Sequence, residues 1–258
     1  MAAILLDVDG VLHVSGEPIP GAADAVRRLR GEGHRLRFVT NSTTMSRRQL
    51  GERLRAMGFA VEDEELQTTG VVAARALRGK RVLALTMPGI LDDLEGLELV
   101  GMNVDAVLVG GADEGDDPGR IFSYLNLNRA FLELLDGAEL YSLHKNRWWQ
   151  TATGPRLDAG AFVAGLEYAS GIEATVLGKP SPQYFAAALE AIDADPELAW
   201  MVGDDLEGDV VGAQLHGMRT VLVRTGKFRP DDLERSTSMP DGIVSSIAQL
   251  PDWLEQNL

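Results

Sequence analysis

The chain has 258 residues, 45% of them hydrophobic and 24% charged, a globular composition long enough for one large α/β domain or a core carrying a smaller one. Its net charge of −15 argues against nucleic acid, which needs clustered Lys and Arg, and no run reaches the roughly 20 apolar residues that cross a bilayer. The lack of cysteine excludes disulfides, thiolate metal sites and cysteine nucleophiles and suits a cytoplasmic protein, and Met1 to Asp7 lacks the positive flank of a signal peptide.

Along the chain, short apolar runs alternate with helical patterns, the signature of βαβ units and a mostly parallel sheet. Ala3 to Leu6 is the first predicted strand, and it ends on Asp7-Val8-Asp9-Gly10. Two carboxylates at the end of a buried strand are costly without a cation. Mg²⁺ suits them, since it favours one or two carboxylates together with substrate phosphate and water. Gly10 permits the sharp turn that brings backbone N–H groups toward an anion. Alone, such a pair more often caps a strand end, so its partners decide. Leu36 to Val39 is the second strand and leads into Thr40-Asn41-Ser42, whose hydroxyl and amide groups are of the kind that hold phosphate oxygens. Ser42, Thr43 or Ser46 also fits as the N-cap of the amphipathic run Arg47 to Met57, and a capped helix start itself favours anions.

Between Lys80 and Val176 lies a second α/β run. Its predicted strands are Arg81 to Thr86, Ala106 to Val109 and Glu139 to Ser142, and its predicted helices are Tyr124 to Leu135 and Leu157 to Ala169. The acidic stretch Asp113-Glu114-Gly115-Asp116-Asp117 lacks calcium-loop spacing and reads as a solvated turn. The site segments flank this run, so an inserted domain is the economical organisation: a core of 1–79 and 177–258 around an insert of 80–176. One continuous sheet is the alternative.

Gly178-Lys179-Pro180 precedes the helical pattern Tyr184 to Ile192, where a stiffly placed lysine could neutralise both a phosphoryl group and its nucleophile. Taken alone, Lys179 would be a surface residue. Ala199 to Val202 leads into Gly203-Asp204-Asp205, with Asp209 close behind. Asp204 is the natural third carboxylate for a metal held by Asp7 and Asp9, and Asp209 is suited to bonding Lys179 or a metal-bound water. Thr220 to Val223 ends on Arg224-Thr225. Ligands of open parallel sheets bind outside the carboxyl ends of the strands, so these polar strand ends are expected to converge. No Gly-x-x-x-x-Gly-Lys-Ser/Thr, Gly-x-Gly-x-x-Gly or Gly-x-Ser-x-Gly occurs, and the four histidines are too scattered for a zinc site.

The four segments, in this order, resemble the haloacid dehalogenase (HAD) superfamily of aspartate-nucleophile phosphatases, and the position of the insert resembles subfamily IIA with a type-2 α/β cap. Pro20-Gly21-Ala22, Thr40-Asn41-Ser42-Thr43 and Thr225-Gly226-Lys227 add to the likeness. Leu140 to Trp149 resembles the phospholysine phosphohistidine inorganic pyrophosphate phosphatase group, some of whose members carry Ser where this chain keeps Asp9.

The resemblance implies a Rossmann-like parallel-sheet core with an inserted smaller α/β cap, and a Mg²⁺-dependent phosphohydrolase acting on a small phosphorylated metabolite. It makes Asp7 the nucleophile, Asp9 the acid and base, and Lys179 the cation. Mg²⁺ would be held by Asp7, the backbone carbonyl of Asp9 and Asp204, supported by Asp205 and Asp209. Gly10, Thr40, Asn41, Ser42 and Lys179 would hold the phosphoryl group. His144, Lys145 and Arg147, beside Trp148 and Trp149, either reach the leaving group or belong to a cap core or interface patch. Neither nucleic acid nor membrane is an expected partner, and a homodimer is left open. A phosphotransferase or phosphomutase using the same aspartate, and a non-catalytic phospho-ligand-binding protein, are the alternatives.

Overall fold

The computed structural model describes residues 1–111, 120–151, 154–236 and 238–258, leaving aside the side chains of 149–151 and 235. The acidic run 113–117 therefore lies outside the described residues. The chain begins with β1 (Ala3–Asp7), hairpin strands β2 (His13–Val14) and β3 (Glu17–Pro18), α1 (Ala22–Gly31), β4 (Arg35–Val39), α2 (Arg47–Ala56), β5 (Leu66–Gln67) and α3 (Thr69–Ala76). Its middle runs through β6 (Arg81–Leu85), β7 (Glu98–Leu99), β8 (Ala106–Val109), α4 (Tyr124–Leu135), β9 (Glu139–Ser142), β10 (Trp148–Thr151), β11 (Gly154–Leu157), α5 (Ala159–Ser170) and β12 (Thr175–Val176). It closes with α6 (Pro182–Glu190), β13 (Ala199–Gly203), α7 (Gly212–Leu215), β14 (Arg219–Val223), α8 (Pro230–Arg235), β15 (Gly242–Val244) and α9 (Leu250–Asn257).

Two compact units share these elements. The first comprises Met1–Thr40, Arg48–Gln67 and Lys179–Leu258, the second Asn41–Arg47 and Thr68–Gly178. The second unit thus takes up α3, so it starts ahead of the expected border at 80. In the first unit a sheet ordered β15-β14-β13-β1-β4-β5 is parallel throughout. All five β1 residues are buried, as expected of a strand covered on both faces. Helix α1 shows the complementary pattern. Ala22, Ala25, Val26 and Leu29 are its buried stripe, with Asp24 in the first turn and Arg28 and Arg30 in the last, where they complement the helix dipole.

The second unit has its own parallel sheet, ordered β12-β9-β8-β6-β7. Val107, Val109, Leu134, Leu140, Val163 and Leu166 belong to its core. Phe122 and Phe162 stack there with ring centroids 4.0 Å apart. Each such side chain contributes about 1.5–3 kcal/mol when fully buried, so this sheet has a hydrophobic core of its own. The fold is α/β, a parallel-sheet core with a smaller inserted α/β domain. Helix α5 starts at Ala159 and not at Leu157, because Asp158 accepts from the Ala159 N–H and the preceding residues pair as the β10–β11 hairpin.

Candidate active site

Register sets the site. Leu6 lies opposite Val202 and Asp7 opposite Val39, so the polar residues that follow β1, β4 and β13 emerge side by side at the carboxyl edge of the sheet. Lys179 reaches this edge from the loop before α6. Its Nζ donates at 2.7 Å to Asp7 Oδ1 and at 2.7 Å to Asp209 Oδ1, and all three side chains are buried. Oxygens of Asp7, Asp204 and Asp209 lie within 4.8 Å of one another. Three buried carboxylates against one ammonium leave two negative charges uncompensated, which a divalent cation would match.

Hydrogen bonding separates the three acids. Asp209 Oδ1 accepts from Lys179 and its Oδ2 from the Asp205 N–H at 3.2 Å, so both its oxygens are engaged. Asp204 Oδ2 accepts from the Lys227 N–H at 2.6 Å, while its Oδ1 is buried without a hydrogen-bond partner among the described residues. That orphaned oxygen suits a cation ligand, because a buried polar atom without a partner costs about 1–3 kcal/mol. The donor set fits Mg²⁺, with Asp204 and Asp7 presenting oxygens and Asp209 restraining the lysine. Asp205 Oδ1 accepts from the N–H groups of Glu207 and Gly208, at 3.1 and 2.9 Å, and its Oδ2 pairs with Lys227 Nζ at 2.9 Å. It thereby fixes the turn on which Asp209 sits.

Two glycines let this cluster close. Gly10 has φ +85° and Gly226 φ +58°, and a Cβ on either would run into the Asp204 carboxylate. The Thr225 hydroxyl donates to the Gly10 carbonyl, tying the loop after β14 to the turn after β1.

Electrostatics follow from burial and crowding. Burial pushes the Asp7 carboxyl well above the usual range, Lys179 opposes this, and Asp209 and Asp204 add repulsion. Asp204 is pushed up to about 7, by burial first and Asp209 second. Burial alone would lower Lys179, but Asp209 and Asp7 outweigh it and hold the ammonium charged. Asp205 is lowered: Lys227 and the Gly208 N–H outweigh the effect of burial.

Asp9, in contrast, is exposed. Its Oδ2 accepts from Thr40 Oγ1 at 3.3 Å, and its Oδ1 lies 3.8 Å from His13 Nε2. Thr40 is buried, whereas Asn41 and Ser42 are half-buried and group with the second unit, Ser42 Oγ lying 3.2 Å from Thr44 Oγ1. Within that unit His144 is buried. Its Nδ1 accepts from the Asn146 N–H at 3.3 Å, and its Nε2 lies 3.5 Å from Thr43 Oγ1 and 3.8 Å from Asp158 Oδ1. Lys145 pairs with Glu167 at 2.9 Å, Arg147 is exposed, and Trp148 is 58% exposed.

Tyr184 was not legible as a site residue, because it sits in an otherwise apolar helix. It is fully buried, and its hydroxyl accepts from the Thr40 N–H at 2.8 Å and is shared between the Thr40 and Gln67 carbonyls at 3.0 and 2.8 Å. Tyr184→Phe should lower unfolding free energy by about 0.5–1.5 kcal/mol in urea denaturation, since it removes the bonds of the hydroxyl while the Thr40 N–H keeps its 3.1 Å bond to the Gln67 carbonyl. A loss under a few tenths of a kcal/mol would show that Tyr184 does not brace the end of β4.

Residues 4–100 match the family model of haloacid dehalogenase-like hydrolases, and residues 176–250 match a second, HAD-hydrolase-like model. The phospholysine phosphohistidine inorganic pyrophosphate phosphatase of Xenopus laevis is 42% identical over 261 residues, covering 98% of this chain and 94% of that protein. The chain belongs to the haloacid dehalogenase-like hydrolases. Human haloacid dehalogenase-like hydrolase domain-containing protein 2 is 40% identical over 260 residues, covering 100% and 97%. The p-nitrophenyl phosphatase from Archaeoglobus fulgidus superposes with a TM-score of 0.90 at 27% identity, covering 98% of each chain. This member of the family is a phosphatase of the haloacid dehalogenase type, and among its described residues no helix is long and apolar enough to cross a membrane.

Proposed function

We propose that the protein hydrolyses a small phosphorylated metabolite through an aspartyl-phosphate on Asp7. The observation that carries this reading is the buried Asp7–Lys179–Asp209 array, with two 2.7 Å contacts to Lys179, beside the orphaned oxygen of Asp204. A carboxylate oxygen of Asp7 attacks phosphorus as the bond to the leaving oxygen breaks, and Asp9 gives that oxygen a proton. Water then attacks phosphorus, its proton goes to Asp9, and the bond to Asp7 breaks to release phosphate. Mg²⁺ held by Asp7, the Asp9 carbonyl and Asp204 would shield the anionic nucleophile from the anionic phosphoryl group. Lys179 holds the Asp7 carboxylate in place, Thr40 orients Asp9, and the turn at Gly10 supplies neutral backbone donors for phosphoryl oxygens.

The inserted unit carries selectivity in this reading. Of the three cationic candidates, His144 is buried, whereas Lys145 and Arg147 are both exposed, Lys145 pairing with Glu167. Tyr124, Leu125, Leu132 and Leu135 stay exposed on one face of α4, the surface on which a homodimer would rest. A phosphate-release screen over phosphorylated metabolites with Mg²⁺ tests the activity. Free phosphate is expected from at least one compound, and transfer to an alcohol without release would instead make the protein a phosphotransferase.

Metal should act in a pH-dependent way. In the metal-free protein Asp204 keeps its proton up to about 7, against an ordinary 3.8. A carboxyl raised in this way contributes stability that is fully present below 3.8 and is lost as pH rises through 7. The melting-temperature gain on adding Mg²⁺ should therefore be larger at about pH 8 than at about pH 5.5, where the cation must displace a proton. An equal or larger gain at the lower pH would count against Asp204 as a metal ligand.

A further inference from the structure

His13 is a buried histidine that the reaction above does not use. It is only 4% exposed and lies on β2, in the small hairpin that follows Gly10. Its main chain is built into the turn that carries Asp9: the Gly10 N–H donates to the His13 carbonyl at 2.7 Å, and the His13 N–H to the Val8 carbonyl at 3.4 Å. The guanidinium of Arg53, on α2, lies against the hairpin, in the space a Cβ on Gly16 would need. The imidazole is thus fixed relative to Asp9 by the backbone.

Its two nitrogens stand in different places. Nε2 faces Asp9 Oδ1 at 3.8 Å, while Nδ1 is buried with no hydrogen-bond partner among the described residues. Filling space alone does not call for a histidine here, since an apolar side chain would avoid the cost of an orphaned nitrogen. Asp9, meanwhile, is 55% exposed in its side chain and is restrained by one hydroxyl, that of Thr40 on Oδ2. The 3.8 Å separation exceeds a hydrogen bond, and contacts of this kind often tighten only with substrate bound.

We propose that His13 is a positioning residue for Asp9: His13 Nε2 and the Thr40 hydroxyl hold the two carboxyl oxygens so that the acid proton is aimed at the leaving oxygen. This rests on the reading of Asp9 as the general acid. An acid matters most when the leaving group is a poor one. An alkoxide must be protonated as it departs, whereas a nitrophenolate leaves unaided. Misaiming Asp9 should therefore slow alkyl esters more than activated aryl esters, which a loss of general stability or of phosphate binding would not do.

The test is kcat/KM with Mg²⁺ over phosphate monoesters running from p-nitrophenyl to phenyl to alkyl, for the full chain and three variants. His13→Gln keeps a donor near the place of Nε2, whereas His13→Asn puts its amide near Nδ1 and leaves Asp9 without that donor. Asp9→Asn serves as the reference. His13→Asn should lose at least about tenfold more on the alkyl ester than on p-nitrophenyl phosphate, with His13→Gln recovering most of the difference. If Asp9→Asn itself slows all esters equally, the general-acid reading fails. If Asp9→Asn is selective but His13→Asn slows every ester alike, or matches His13→Gln, the role of His13 is overturned.

Discussion

Replacing Asp7 by Asn should reduce turnover at least a thousandfold, about 4 kcal/mol in barrier, without unfolding the protein. Asparagine keeps the shape and can still accept a hydrogen bond from Lys179, which retains Asp209 as its charged partner at 2.7 Å. It also removes one of three crowded acids. Asp7 is pushed up by burial and by Asp209 and Asp204, so its ionised form is a strain in the metal-free fold. The metal-free variant should accordingly melt no lower than the parent, in a trade of stability for function. If Asp7 were merely structural, the variant would lose about 1 kcal/mol of stability and keep its rate. A folded Asp7→Asn protein with most of its phosphatase activity would exclude Asp7 as the nucleophile.

Lys179→Met should be the most destabilising substitution at the site, by about 3–5 kcal/mol at pH 8, because it leaves Asp7 and Asp209 buried and facing each other without a cation. Lys179 is held above its ordinary 10.5 by Asp209 and Asp7, so its contribution is fully present below that value and is lost only as pH rises beyond it. The gap between parent and variant in urea unfolding should shrink as pH falls, since protonation of the carboxyls relieves their repulsion. Activity should fall at least about a hundredfold as the phosphoryl group loses a fixed countercharge. A variant within about 1 kcal/mol of the parent at pH 8 would mean that the array does not carry the charge balance argued for it.

The strands that build the site were legible because burial on both faces leaves a nearly all-apolar run. β8, β9 and α4 coincide with their sequence expectation, and β1, β4, β13 and β14 differ from theirs by one residue at an end. Strands of two residues offer no such pattern. The hairpin β2–β3 was invisible for this reason, and with it the placement of His13, which is buried against the turn of Asp9. The boundary of the inserted unit was set by sequence spacing, whereas packing draws α3 into it. Lys179 shows the limit most clearly. Its residue type and neighbours suggested a fixed charge, but only the chain path places its ammonium between two carboxylates 172 and 30 residues away. The orphaned Oδ1 of Asp204 is likewise a property of packing that no motif encodes.

The most direct measurement is to trap the phosphoryl-enzyme. After a rapid acid quench of turnover with Mg²⁺ and a phosphate-labelled substrate, label should be found on the peptide containing Asp7. Borohydride should convert that residue to homoserine, and the Asp7→Asn protein should carry no label. Turnover without any labelled enzyme, or label on a residue other than Asp7, would contradict a mechanism in which Asp7 attacks phosphorus.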